Sequence, residues 1–115
     1  MQVTIYHNPR CSKSRATLEL LKNKGIEPRI IEYLKTPPDV KTLKDILAKL
    51  GMQPRELMRK KEPAYRDAGL NDGKLSDDAL IKTMIEHPVL IERPIVVAND
   101  KVAIGRPPES VLKII

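Results

Sequence analysis

The segment that most constrains the fold is the first one. Gln2 to Tyr6 alternates in hydrophobicity and is rich in β-formers, HNPRC supplies turn residues, and Ser12 to Lys24 sets Ala16, Leu18, Leu20 and Leu21 at spacings compatible with a helix. Gly25 is placed to end that helix, Lys22 and Lys24 complement the dipole of its last turn, and Arg29 to Leu34 reads as a second strand. Two strands joined through a helix run parallel, because a parallel return needs a crossover. The chain is therefore committed to an α/β fold from its N-terminus.

After Thr36-Pro37-Pro38, Asp39 can cap a helix whose apolar positions Val40, Leu43, Ile46, Leu47 and Leu50 keep the helical period, with Gly51 as its stop. Pro54 to Lys61 suits a short helix with Leu57 and Met58 turned inward, and Ser76-Asp77-Asp78 opens another through Leu80, Ile81, Met84 and Ile85 to His87-Pro88. Residues 37–87 thus read as a helical block. Two short strands follow, Ile95 to Val97 and Val102 to Ile104, turned at Asn99-Asp100, and Glu109 to Ile115 closes as a helix after Pro107-Pro108. The order βαβ, helical block, ββα is that of a thioredoxin-like core with helices inserted between its halves. With 115 residues, 41% hydrophobic, and no linker-like stretch, the expected organisation is one domain over residues 1–115.

Tyr6, Tyr33 and Tyr65 are the only aromatic residues, which argues against nucleic-acid binding by base stacking. A formal charge of +6 favours anionic partners without selecting one. No stretch approaches the roughly eighteen apolar residues of a membrane span, and the N-terminus does not read as a secretion signal, so the expected location is the cytoplasm. A lone thiol stays reduced there. With one cysteine the chain cannot close an internal disulfide, so any disulfide chemistry must be completed by a thiol from another molecule.

That cysteine, Cys11, falls at the start of the first helix, where unpaired backbone N–H groups and the dipole favour a thiolate and can also cradle an oxyanion. His7, Arg10, Lys13 and Arg15 add potential positive charge, and Ser12 and Ser14 can cap the helix or donate to an anion. Lone cysteines commonly pack as small buried hydrophobes. A polar, basic turn is a poor place for an inert thiol.

HNPRCSKSR at 7 to 15 resembles the active-site signature of the glutaredoxin-dependent arsenate reductase family. LMRKKEPAY at 57 to 65, HPVLIERPIVV at 87 to 97 and GRPPESVL at 105 to 112 resemble that family's other blocks in the same order. The resemblance implies a thioredoxin-like fold in which Cys11 attacks arsenate while Arg59, Arg93 and Arg106 bind the substrate and stabilise intermediates. It implies for His7 a part in lowering the cysteine's pKa, and for Pro94 a cis peptide bond beside the site. Arginine suits the task, because its planar fork presents paired donors to an oxyanion and stays charged at any relevant pH. The chain stops at Ile115, soon after the third arginine block, whereas longer reductases carry a C-terminal extension, so the resemblance is to a short subgroup.

The implied cycle has Cys11 displace an oxygen from arsenate, glutathione attack the adduct as co-substrate, and glutaredoxin resolve it with release of arsenite. No tightly bound cofactor is expected, and His7 and His87 with one cysteine do not make a zinc ligand set. Two other readings stand beside this one. A glutathione-dependent thiol-disulfide reductase would direct Cys11 at a mixed disulfide. A non-enzymatic redox regulator of transcription shares the fold, but its sensor is a Cys-x-x-Cys pair, and Cys11 to Ser14 here reads CSKS.

Overall fold

The computed structural model describes residues 2–115. The chain forms two compact units: one takes the chain up to Thr36 together with Arg93–Ile115, the other is Pro37–Glu92. Among the described residues, no helix is long and apolar enough to cross a membrane.

In the first unit, β1 (Val3–His7) leads into α1 (Ser12–Asn23) and β2 (Arg29–Glu32), and the chain later adds β3 (Ile95–Ala98), β4 (Lys101–Ile104) and a 3-10 helix (Pro108–Ile114). The described strands form one sheet in the order β2-β1-β3-β4. β1 pairs parallel with β2, as the crossover requires, while the β1–β3 and β3–β4 pairs are antiparallel. Asn99 and Asp100 both have positive φ, 53° and 62°, the conformation that joins antiparallel strands through a tight turn. Val3 and Ile5 of β1, Val96 and Ala98 of β3, Leu21 of α1, and Val111 and Ile114 of the 3-10 helix share one buried core. Removing Leu21, which is fully buried, from that core would cost about 2–5 kcal/mol.

Several boundaries depart from the sequence expectation. β2 stops at Glu32, where the N–H groups of Lys35 and Thr36 both turn back to the Glu32 carbonyl, so Tyr33 and Leu34 lie in a turn. The C-terminal helix is 3-10, not α. Its buried residues, Val111 and Ile114, are three apart and so stack on one side of a helix with three residues per turn. The most buried stripe of α1 is partly polar, while Leu18 and Leu20 pack against the core from its margin. Ser14, Thr17 and Leu21 are buried, whereas Ala16 is exposed and Leu18 and Leu20 are half-buried. Gly25, with φ of 78°, permits the left-handed residue after this helix, and the Ile26 N–H then returns to the Leu21 carbonyl at 3.0 Å.

The second unit holds α2 (Val40–Leu50), α3 (Pro63–Asp67) and α4 (Asp77–Glu86), with 3-10 turns at Pro54–Leu57 and Pro88–Leu90. Asp39 caps α2 by accepting the Thr42 N–H at 2.8 Å, and Ser76 caps α4 by accepting that of Ala79 at 3.1 Å. The helix expected over 54–61 ends after one 3-10 turn, because Met58 turns extended to bridge Ile91. That bridge, with the Glu92 N–H donating to the Leu57 carbonyl, ties residues 88–92 to this unit and carries the helical block past its expected end at 87. Helix α3 is only five residues long and carries no apolar period that marks it in the sequence. Its buried Tyr65 hydroxyl accepts from Arg55 at 2.6 Å, and the same guanidinium also reaches the carbonyls of Leu70 and Asp72.

Candidate active site

Strand β1 delivers His7, a four-residue turn follows, and Cys11 stands at the N-cap of α1. The Cys11 N–H closes the turn on the Asn8 carbonyl at 3.0 Å, and the Asn8 side chain accepts the Arg10 N–H at 3.0 Å. Arg15 braces it from the helix, donating to the Pro9 carbonyl at 3.0 Å. The Cys11 side chain makes no capping hydrogen bond and the first turn of α1 holds no acidic residue, so the positive end of the helix dipole faces the thiol without a first-turn carboxylate to offset it.

Ser14 organises this turn from within. Fully buried, its hydroxyl accepts the Asn8 N–H at 3.0 Å and lies 2.6 Å from His7 Nδ1. A hydroxyl that already accepts from Asn8 has its proton available for the imidazole, which matches a neutral His7. Burial is the largest influence on His7 and lowers its pKa; Glu32, its register partner on β2, raises it, while Lys22 and Arg15 lower it, and the net shift is downward. His7 is thus a neutral partner of Ser14. Its link to the thiol runs through Ser14, whose backbone N–H is among the groups that lower the Cys11 pKa. Ser12, by contrast, is exposed.

On the Cys11 thiol, burial is again the largest influence, and it raises the pKa. The Ser14 N–H, the Arg93 charge, the Lys13 N–H and an Arg93 side-chain hydrogen bond act the other way and together prevail, so the thiol ionises below its ordinary range. Arg106 adds a second guanidinium, with Nη2 3.9 Å from Cys11 Sγ, and a cation at this distance also favours the thiolate. The two arginines are coupled, because Arg106 Nε donates to the Arg93 carbonyl at 2.9 Å. Both arginines precede cis prolines: the Arg93–Pro94 and Arg106–Pro107 bonds are cis. Only the first had a sequence rationale.

Of the residues singled out in the sequence, the structure brings together Cys11, Ser14, His7, Arg93 and Arg106. Arg59 lies in the helical unit, where it pairs with Glu62 at 2.7 Å and its N–H donates to the Leu90 carbonyl at 2.7 Å. Arg10 and Lys13 have exposed side chains. Asn8 takes the turn role that the HNPRC stretch implies, whereas Thr17, which continues the buried stripe from Ser14, is absent from the sequence expectation. The signal for Thr17 is the spacing of hydroxyl residues at 14 and 17, three apart on the face of α1 that carries Leu21.

The ArsC family model matches residues 6–114. The chain is 60% identical over 115 residues to YfgD of Escherichia coli K12, a protein described as uncharacterized, covering 99% of this chain and 97% of that one. It is 50% identical over 111 residues to an arsenate reductase of Neisseria meningitidis serogroup A, covering 96% and 95% of the two chains. The solved structure of an arsenate reductase from Vibrio cholerae superposes with a TM-score of 0.96 at 56% identity, covering 100% of this chain and 98% of that one. The fold is the thioredoxin-like one these proteins share.

Proposed function

Because the chain belongs to the ArsC family, we propose that it is an arsenate reductase in which Cys11 is the nucleophile and glutathione with glutaredoxin supplies the electrons. One observation carries this reading: a thiol of lowered pKa lies within hydrogen-bonding reach of two coupled arginines. A thiolate approaching an oxyanion meets like charge, and fixed guanidinium groups offset that repulsion where the transition state develops it. Arg59 joins Arg93 and Arg106 as a substrate ligand on the strength of its block's resemblance. A disulfide substrate would not require so much positive charge beside the sulfur.

The cycle begins when the Cys11 thiolate attacks arsenic and an arsenate oxygen leaves as water after protonation, giving a thiol ester of arsenic(V). Glutathione displaces a second oxygen, again as water, and both sulfurs are then bound to arsenic. A glutaredoxin thiol attacks the glutathione sulfur, forming a glutaredoxin–glutathione disulfide. The electron pair of the broken arsenic–sulfur bond reduces arsenic(V) to arsenic(III), and hydrolysis releases arsenite and regenerates Cys11. Only one thiol of the chain takes part, which fits a sequence with one cysteine. The proposed setting is the cytoplasm, where that thiol stays reduced.

The test is a reconstituted assay with arsenate, glutathione, glutaredoxin, glutathione reductase and NADPH. Arsenate-dependent NADPH oxidation should fall to background when either glutathione or glutaredoxin is omitted. Turnover that persists without glutaredoxin would remove it from the cycle. Turnover of a glutathione mixed disulfide, with no response to arsenate, would favour the thiol-disulfide reductase reading.

A further inference from the structure

Gly105 sits where α1 and the segment around Pro94 come together. A methyl group built on it would overlap Thr17 Oγ1, lie 2.7 Å from Pro94 Cγ and 3.1 Å from Thr17 Cγ2. The obstruction lies on the Thr17 side. Thr17 is fully buried and its hydroxyl is fixed by donating to the Lys13 carbonyl at 2.8 Å, whereas a proline Cγ can move by a change of ring pucker. Glycine at 105 also lets the backbone come close enough for its N–H to donate to the Pro94 carbonyl at 2.9 Å.

This contact is one residue from Arg106. We propose that Gly105 and Thr17 are positioning residues: their contact without a Cβ seats the Gly105-Arg106 segment on α1 and so sets the Arg106 guanidinium against the Cys11 sulfur. The same helix carries the nucleophile and the residue that receives the arginine's backbone. Cys11, Ser14 and Thr17 follow one another at intervals of three along α1. A side chain at 105 must lift the segment by something on the order of an ångström to relieve the overlap. Arg106 Nη2, already at 3.9 Å from the sulfur, would then lose its hydrogen bond. The inference concerns how Arg106 is held and rests on the role given to Arg106 above.

The experiment reads thiolate formation and needs no arsenate, so its failure is separable from failure of the reductase reading. Cys11 is titrated by ultraviolet thiolate absorbance and by the pH dependence of alkylation with iodoacetamide, which has one cysteine to modify. Gly105→Ala should shift the midpoint upward by about one pH unit, with alkylation well below it slowed on the order of tenfold. Gly105→Ala combined with Thr17→Ala should return towards the native midpoint, because the Thr17 atoms are gone and the remaining contact, with Pro94 Cγ, is relieved by a change of ring pucker. In an Arg106→Ala background, Gly105→Ala should add no further shift, an outcome that general loosening of the fold would not give. A native midpoint in folded Gly105→Ala would overturn the proposal. If Gly105→Ala fails to fold, the double variant decides alone: folding with a native midpoint supports the proposal, and misfolding or a raised midpoint overturns it.

Discussion

Cys11→Ser is expected to lower arsenate-dependent turnover by at least about a thousandfold, to the background of the coupled assay. The geometry predicts this severity. The turn, the Ser14 and Lys13 N–H groups and Arg93 all stabilise negative charge at one atom, the sulfur. A serine hydroxyl in the same place is far too weak an acid to be ionised by these influences near neutral pH, and an oxygen link to arsenic would not serve the later exchange of sulfur ligands. The fold should tolerate the change, since Cys11 makes no side-chain capping bond that α1 depends on. The measurement is the initial rate of NADPH oxidation together with the thermal midpoint. A rate within tenfold of native, in a folded protein, would remove Cys11 from the chemistry.

Arg93→Ala and Arg106→Ala should each lower kcat/KM for arsenate by about a hundredfold to a thousandfold, the usual effect of deleting a charged donor from an anionic transition state. They should also change the pH dependence. The guanidinium of Arg93 acts to lower the thiol pKa, so its removal moves the midpoint of thiol ionisation to higher pH. The deficit is therefore largest at low pH and shrinks as pH rises through the new midpoint, without disappearing, because substrate binding is also weakened. Arg93→Lys should restore charge but not the fork, recovering the ionisation midpoint more fully than kcat/KM. Rate profiles from pH 5 to 9, with alkylation profiles over the same range, check both effects. Equal losses at every pH, with an unmoved alkylation midpoint, would mean that Arg93 binds substrate without tuning the nucleophile.

Much of the framework around Cys11 was legible because it is local. The βαβ unit follows from one alternating strand, one turn and one helix, and the observed β1, α1 and β2 occupy those segments. Caps at Asp39 and Ser76 were equally visible, since a capping side chain acts on residues three ahead of it. The polar part of the inward face of α1 is not legible in that way, for a physical reason. Apolar periodicity assumes that the core takes the oily residues, but beside the site the helix buries Ser14 and Thr17, whose hydroxyls have partners in the turn and the helix backbone. The approach of Arg106 to Cys11 spans 95 positions, and nothing in the local pattern of either segment encodes it. Only the resemblance of whole blocks pointed to those arginines. Gly105 carried no visible signal, because its importance lies in a Cβ that the neighbouring Thr17 excludes. The short α3 was hidden for a similar reason: Tyr65 is drawn in by Arg55, ten residues earlier.

The central claim is that arsenate arrives at the Cys11 sulfur under the arginines. As the chain has one cysteine, iodoacetamide reports on that sulfur alone. Alkylation rates measured with increasing arsenate should fall along a saturating curve in the native protein, and the protection should weaken markedly in Arg106→Ala. An alkylation rate indifferent to arsenate, in a preparation that still reduces it, would contradict the account.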